Sequence, residues 1–187
     1  MLANFIPAYQ QLVVDVAGVN LFHPNDDKDP PYWNWPELRG YSKDVMDTVW
    51  ARITGSHDFW VCLPETVHCS TLRMCVLDLS RFHDIYFVTS RPGTDTKWQT
   101  EQWLILHLGI ERPTVLLSSE KGLVAKALKL DCYIDDNLDN VKDACLMSPA
   151  TRTYLLNRAY NQDSPPDTRY IRIETLGQFL DRELVNL

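Results

Sequence analysis

From Pro64 onward the chain alternates short apolar runs with amphipathic stretches, and this alternation narrows the possible folds more than any other feature. The spacing predicts a helix over roughly Thr66 to Leu79, a strand over Ile85–Val88 and a helix over Thr96 to Leu108 ended by Gly109. A strand over Thr114–Leu117 follows, then a helix over Gly122 to Leu130 with Leu123, Val124, Ala127 and Leu128 facing inward. Cys132–Ile134 reads as a strand, with a helix beginning near Leu138. Thr153–Leu156 and Tyr170–Ile173 are predicted strands, and Leu176, Phe179, Leu180 and Leu184 mark a closing helix. Strands alternating with helices imply an α/β fold, a mostly parallel sheet covered on both faces. In such sheets polar residues at the carboxyl ends of strands gather along one edge, where ligands bind.

The first sixty-odd residues read differently. Phe5, Tyr9, Leu12, Val13 and Val16 keep helical spacing, with Pro7 tolerable in a first turn and Gly18 placed to end the helix. Residues 20–40 are turn-rich, with Pro24, Pro30, Pro31 and Pro36 around Tyr32, Trp33 and Trp35. Ser42 is placed to cap a second helix carrying Val45, Met46, Val49, Trp50 and Ile53 on one face. The predicted organisation is a helical cap over residues 1–61 and an α/β core over 62–187.

Composition removes several functions. With 187 residues and 45% hydrophobic content, one domain with a modest insertion can bury a substantial core. A formal charge of -7 argues against a nucleic-acid polymer as partner, though not against a single nucleotide whose charge a metal offsets. Five cysteines without a CxxC pair read as reduced thiols rather than a disulfide frame. Without a signal-like amino terminus or an apolar run long enough for a bilayer, the expectation is a cytoplasmic protein with no membrane partner.

Three features at predicted strand ends carry possible chemistry. Asp135 and Asp136 follow Cys132–Ile134; adjacent carboxylates repel unless a cation or proton lies between them, and Mg2+ suits such oxygen ligands. The alternative is an Asp capping the helix near Leu138. Thr89 and Ser90 end the strand before Arg91-Pro92-Gly93; their hydroxyls and amides, with Arg91, suit phosphate oxygens, or the segment is an ordinary turn. Lys121 opens a helix, where a cation is mildly unfavourable unless something anionic offsets it. The bland reading is an exposed lysine paired with Glu120.

Taken together, hydroxyl, lysine and paired aspartates in this order resemble the haloacid-dehalogenase-like (HAD) phosphohydrolases. The closer similarity is to the 5'(3')-deoxyribonucleotidase family. It is carried by Leu2-Ala3-Asn4-Phe5, Trp33-Asn34-Trp35, Phe59-Trp60, Tyr86-Phe87-Val88-Thr89-Ser90-Arg91-Pro92-Gly93, Glu120-Lys121-Gly122, Ile134-Asp135-Asp136 and Tyr154-Leu155-Leu156-Asn157-Arg158. The resemblance implies a three-layer, Rossmann-like fold and Mg2+-dependent hydrolysis of nucleoside and deoxynucleoside monophosphates. It assigns phosphate binding to Thr89, Ser90, Arg91 and Lys121, metal binding to Asp135 and Asp136, and stacking of the nucleobase to Phe5, Trp33 and Trp35. Packing of the cap core is the other reading of those aromatics.

In that family an aspartate attacks phosphorus and a second, two residues later, is the general acid/base. The family's first motif reads Asp-x-Asp-Gly-Val-Leu-Ala, of which the tail is matched by Met1-Leu2-Ala3. The expectation is that both catalytic aspartates fall ahead of Met1, leaving this polypeptide inactive or weak. Asp15 is set aside as a substitute nucleophile because its surroundings keep helical spacing. A parallel sheet without that internal strand exposes backbone groups on two neighbours, at a cost of several kcal/mol. A rearranged segment, a partner chain, a second copy or further residues would then fill the gap. The alternative function is a non-catalytic nucleotide-binding or interaction protein derived from such an enzyme.

Overall fold

The computed structural model describes residues 2–24, 26, 30, 34–66, 69–163 and 167–184. The chain forms two compact units. One contains Leu2–Arg73 and Arg91–Val115; the other contains Met74–Ser90 and Leu116–Leu187. The helix predicted over Thr96 to Leu108 thus falls in the unit that holds the amino-terminal residues.

The amino-terminal unit is built on α1 (Phe5–Ala17), α2 (Trp35–Leu38), α3 (Lys43–Gly55) and α5 (Thr96–Leu108), while α4 (Cys69–Leu79) crosses the division. Gly18 ends α1 in the left-handed conformation at φ 69°, where its N–H reaches the Val14 carbonyl. Ser42 Oγ accepts from the Val45 amide and caps α3. The short α2, with proline in its first turn, is a structured element within the turn-rich stretch. Val13, Val49 and Ile53 are wholly buried, but Trp50 is 38% exposed, so the inward face of α3 is narrower than its apolar residues suggest. In the apolar run Phe59–Leu63, backbone polar groups are met by α5 side chains: Trp60 N–H donates to Gln99 Oε1 at 2.8 Å, and Trp103 Nε1 donates to the Leu63 carbonyl at 2.7 Å.

The other unit carries β1 (Tyr86–Thr89), β2 (Thr114–Leu117, through which the division passes), α6 (Lys121–Leu128), β3 (Cys132–Asp135), α7 (Leu138–Met147), β4 (Arg152–Leu156), β5 (Ile171–Ile173) and α8 (Leu176–Leu184). Its architecture is mixed α/β, with the expected single sheet replaced by two. One is two-stranded, β1-β2; the other is three-stranded in the order β3-β4-β5. Strands β3, β4 and β5 run parallel, with Ile134 opposite Tyr154 and Tyr154 opposite Ile171. The Ser118 amide, just past β2, donates to the Thr89 carbonyl at the end of β1, so these two strands finish on the same side. Among the described residues the outer edges of β1 and β3 have no strand partner.

Side-chain alternation along β4 explains how the larger sheet is covered. Leu155 packs with Val141 and Cys145 of α7 on one face, whereas Tyr154 and Leu156 pack with Leu176 and Phe179 of α8 on the other. The inward face predicted for α6 is corrected. Gly122 and Ala125 are its buried residues, while Leu123 is 41% and Leu128 38% exposed, and Ala127 is exposed. The reason is close approach to α7, because a Cβ on Gly122 would lie 2.6 Å from the Asp143 carbonyl oxygen. Small residues win that face over larger apolar ones.

Candidate functional site

The candidate site lies at the carboxyl ends of β1, β2 and β3. Asp135, the last residue of β3, has only 8% of its side chain exposed and receives four donors. Lys121 Nζ at 2.8 Å, the Tyr133 hydroxyl at 2.6 Å and Asn140 Nδ2 at 3.2 Å meet Oδ2, and the Asn137 amide at 2.9 Å meets Oδ1. Lys121 is therefore not an exposed lysine beside Glu120. Its side chain is 13% exposed, and its ammonium pairs across to the next strand. The unfavourable position at a helix amino terminus is offset by a carboxylate, as its placement implied.

The capping alternative for the aspartates fails. Asn137 caps α7, its Oδ1 accepting from the Asp139 and Asn140 amides. The Asp136 carboxylate instead accepts from the Tyr160 hydroxyl at 2.9 Å, and Asn161 Nδ2 donates to the Asp136 carbonyl. Burial works against the Asp136 charge, yet favourable interactions, the Tyr160 hydroxyl among them, hold its pKa well below the ordinary carboxylate value. Burial, followed by the charge of Asp135, pushes the Tyr133 phenol far up, so its proton stays available for donation.

Thr89 reaches this rim through the backbone. Its carbonyl is bonded to Ser118, whose Oγ accepts the Glu120 amide one residue before Lys121. Among the described residues the Thr89 and Ser90 hydroxyls have no hydrogen-bond partner, and Ser90 is exposed. Thr89, Lys121 and Asp135 are thus linked by a short series of contacts within one unit.

Arg91, Phe5 and Trp35 belong to the amino-terminal unit, and Trp33 lies outside the described residues. Trp35 is 3% exposed, a core residue packed 5.5 Å from Tyr9. Phe5 stacks on Tyr9 at 4.8 Å and on Trp60 at 5.8 Å. Asp15 sits on an exposed turn of α1 and accepts from Gln11. Cys62, Cys132 and Cys145 are free thiols.

Sequence reasoning missed Tyr133, Asn140 and Tyr160. Tyr133 was within reach, because two residues along a strand share a face with Asp135. Tyr160 follows β4 and meets Asp136 only through the tertiary fold. Among the described residues no group of three or more His, Cys, Asp or Glu side chains is arranged to hold a metal, and no helix is long and apolar enough to cross a membrane. No protein-family model matches the sequence, and no curated protein matches it.

Proposed function

We propose that the chain is the phosphate- and metal-binding part of a cytoplasmic, HAD-like phosphohydrolase acting on nucleoside and deoxynucleoside monophosphates. The observation that carries this reading is the buried Lys121–Asp135 pair, with Asp136 adjacent, at the rim where Thr89 and Ser90 present unbonded hydroxyls. A lysine anchored in this way keeps its charge and geometry ready for an anion. The hydroxyls and amides of Thr89 and Ser90 supply neutral donors for phosphate oxygens.

The donor set also fits a hydrated Mg2+, which keeps several waters and needs only one or two carboxylates. With Asp135 taken up by four donors, Asp136 is the residue that would hold the ion directly, and Asp135 would act through water. When bound, the ion neutralises phosphate charge. The resemblance assigns the attacking carboxylate to a further strand between β1 and β3; among the described residues the outer edges of β1 and β3 are open to one, as are those of β2 and β5. The resemblance assigns stacking of a nucleobase, worth about 1–3 kcal/mol per base, to Phe5 of the amino-terminal unit.

The test is phosphate release from dUMP and dTMP with Mg2+. The 187-residue polypeptide should release little or none. A version with an Asp-x-Asp-Gly-Val-Leu-Ala strand placed ahead of Leu2 should turn over and lose activity on Lys121→Met or Asp136→Asn. Vigorous hydrolysis by the unextended polypeptide would defeat the assignment. One observation favours a second reading, a non-catalytic nucleotide-binding protein: Asp135 is satisfied by protein donors alone. Deoxynucleotide binding without turnover in the extended version would select it.

A further inference from the structure

We infer that Asp143 is a positioning residue, which fixes the start of α6 and so keeps the Lys121 ammonium in register with Asp135. The inference rests on the phosphohydrolase reading for what Lys121 acts upon, and deepens it by giving a role to a residue on a different helix.

Its starting point is a helix without a cap of its own. Lys121 opens α6 directly after Glu120, whose side chain makes no capping bond. The first turn of any helix leaves its amides without partners inside it. One of them, the Gly122 N–H beside Lys121, is met from α7 instead, where Asp143 Oδ2 accepts it at 2.8 Å. A capping side chain ordinarily comes from the residue just ahead of the helix, whereas this one lies twenty-one positions further along the chain. Its negative charge also suits the positive end of α6. Among the described residues the Lys121 ammonium pairs with Asp135 and not with Asp143, so Asp143 acts on it through the backbone.

The contact is built into the packing of the two helices. With glycine at 122, α7 approaches so closely that a Cβ there would lie 2.5 Å from Asp143 Oδ2. Ala125 on α6 and Ala144 on α7 are wholly buried, again with small side chains. Asn140 stands three residues before Asp143 on the same face of α7 and donates to Asp135 Oδ2 at 3.2 Å. One face of α7 thus holds both halves of the ion pair. Asn140 bonds the Asp135 carboxylate, and Asp143 bonds the amide next to Lys121. A lysine stem is long and flexible, so the place of its backbone decides how readily its ammonium meets Asp135 at 2.8 Å. A misplacement of about 1 Å in such a group can cost about a hundredfold in rate.

The experiment follows the Lys121 ammonium by lysine Nζ–Hζ NMR of the 187-residue protein, with Lys121→Arg assigning the resonance. A buried, bonded ammonium is protected from exchange with water and gives a signal. Asp143→Ala should abolish or shift that signal. Asp143→Asn, whose side-chain oxygen accepts the same amide, should restore it. Glu183→Gln loosens the same unit at the amino ends of β3 and β4 and should leave the signal in place, which separates positioning from loss of stability. A signal unmoved by Asp143→Ala, moved equally by Asp143→Asn or Glu183→Gln, or absent from the unmodified protein would overturn the inference. If Asp143→Ala does not fold, Gly122→Ala drives Asp143 from the same contact, and an unmoved signal there refutes the role. Phosphate release is a separate readout. In the version carrying the added strand, Asp143→Ala should lower it by about tenfold to a hundredfold and Asp143→Asn restore it. If that version releases no phosphate at all, the phosphohydrolase reading falls, while the Lys121 signal still decides what Asp143 does.

Discussion

Replacing Gly122 by alanine should destabilise the protein, although glycine-to-alanine in a helix ordinarily does the opposite. Two effects compete. Alanine restores helix propensity worth about 1 kcal/mol. Against this, the new Cβ would lie 2.5 Å from Asp143 Oδ2, 2.6 Å from its Cγ and 2.6 Å from its backbone oxygen. A carboxylate can swing aside, but the backbone oxygen moves only if α7 moves. Overpacking of this kind costs about 1–3 kcal/mol. Losing the Gly122 N–H to Asp143 bond, 2.8 Å long, adds about 1 kcal/mol. The net expectation is a loss of about 1–3 kcal/mol, a large share of a typical domain's stability. Urea unfolding followed by circular dichroism measures it, with Gly55→Ala as the control. Nothing lies within 4 Å of a Cβ at Gly55, so that substitution should be neutral or stabilise by up to about 1 kcal/mol. A Gly122→Ala protein as stable as the parent would refute the close packing of α6 on α7.

Other outcomes follow from named contacts. Glu183 is 3% exposed and bonded to Arg152, Tyr154 and Cys132; despite burial, these partners hold its pKa at about 2 rather than 4.5. A carboxylate depressed on folding contributes stability above its unfolded value and loses it as pH falls from about 4.5 to 2. Urea titrations across that window should show a loss of roughly 3 kcal/mol that Glu183→Gln removes. Lys121→Met leaves Asp135 buried with three donors and should cost about 3 kcal/mol, near the lower limit for breaking a buried pair; adding Asp135→Asn should recover part of it in a double-mutant cycle. Leu155→Ala, at a wholly buried position between β4 and α7, should lower stability by about 2–5 kcal/mol in the same unfolding assay, and a loss under 1 kcal/mol would mean the site collapses around the cavity.

The sequence by itself determined the succession of elements. Thr96–Leu108 and Thr114–Leu117 have the predicted bounds, and Gly18 and Gly109 end helices at φ 69° and 66°. These are properties of neighbouring residues: apolar period, capping side chains and the freedom of glycine at positive φ. It also brought Thr89, Lys121 and Asp135 to strand and helix ends, because alternation alone places polar residues there. What it left open depends on residues far apart along the chain. Only the tertiary structure decided that Lys121 bonds Asp135 rather than Glu120, that Gly122 rather than Leu123 faces α7, and that β1 and β3 end up in separate sheets. It likewise laid Arg91 on Trp60, thirty-one positions away along the chain. Local preferences act through the backbone over a few residues, whereas a buried charge or a helix face takes whichever partner packing brings within reach.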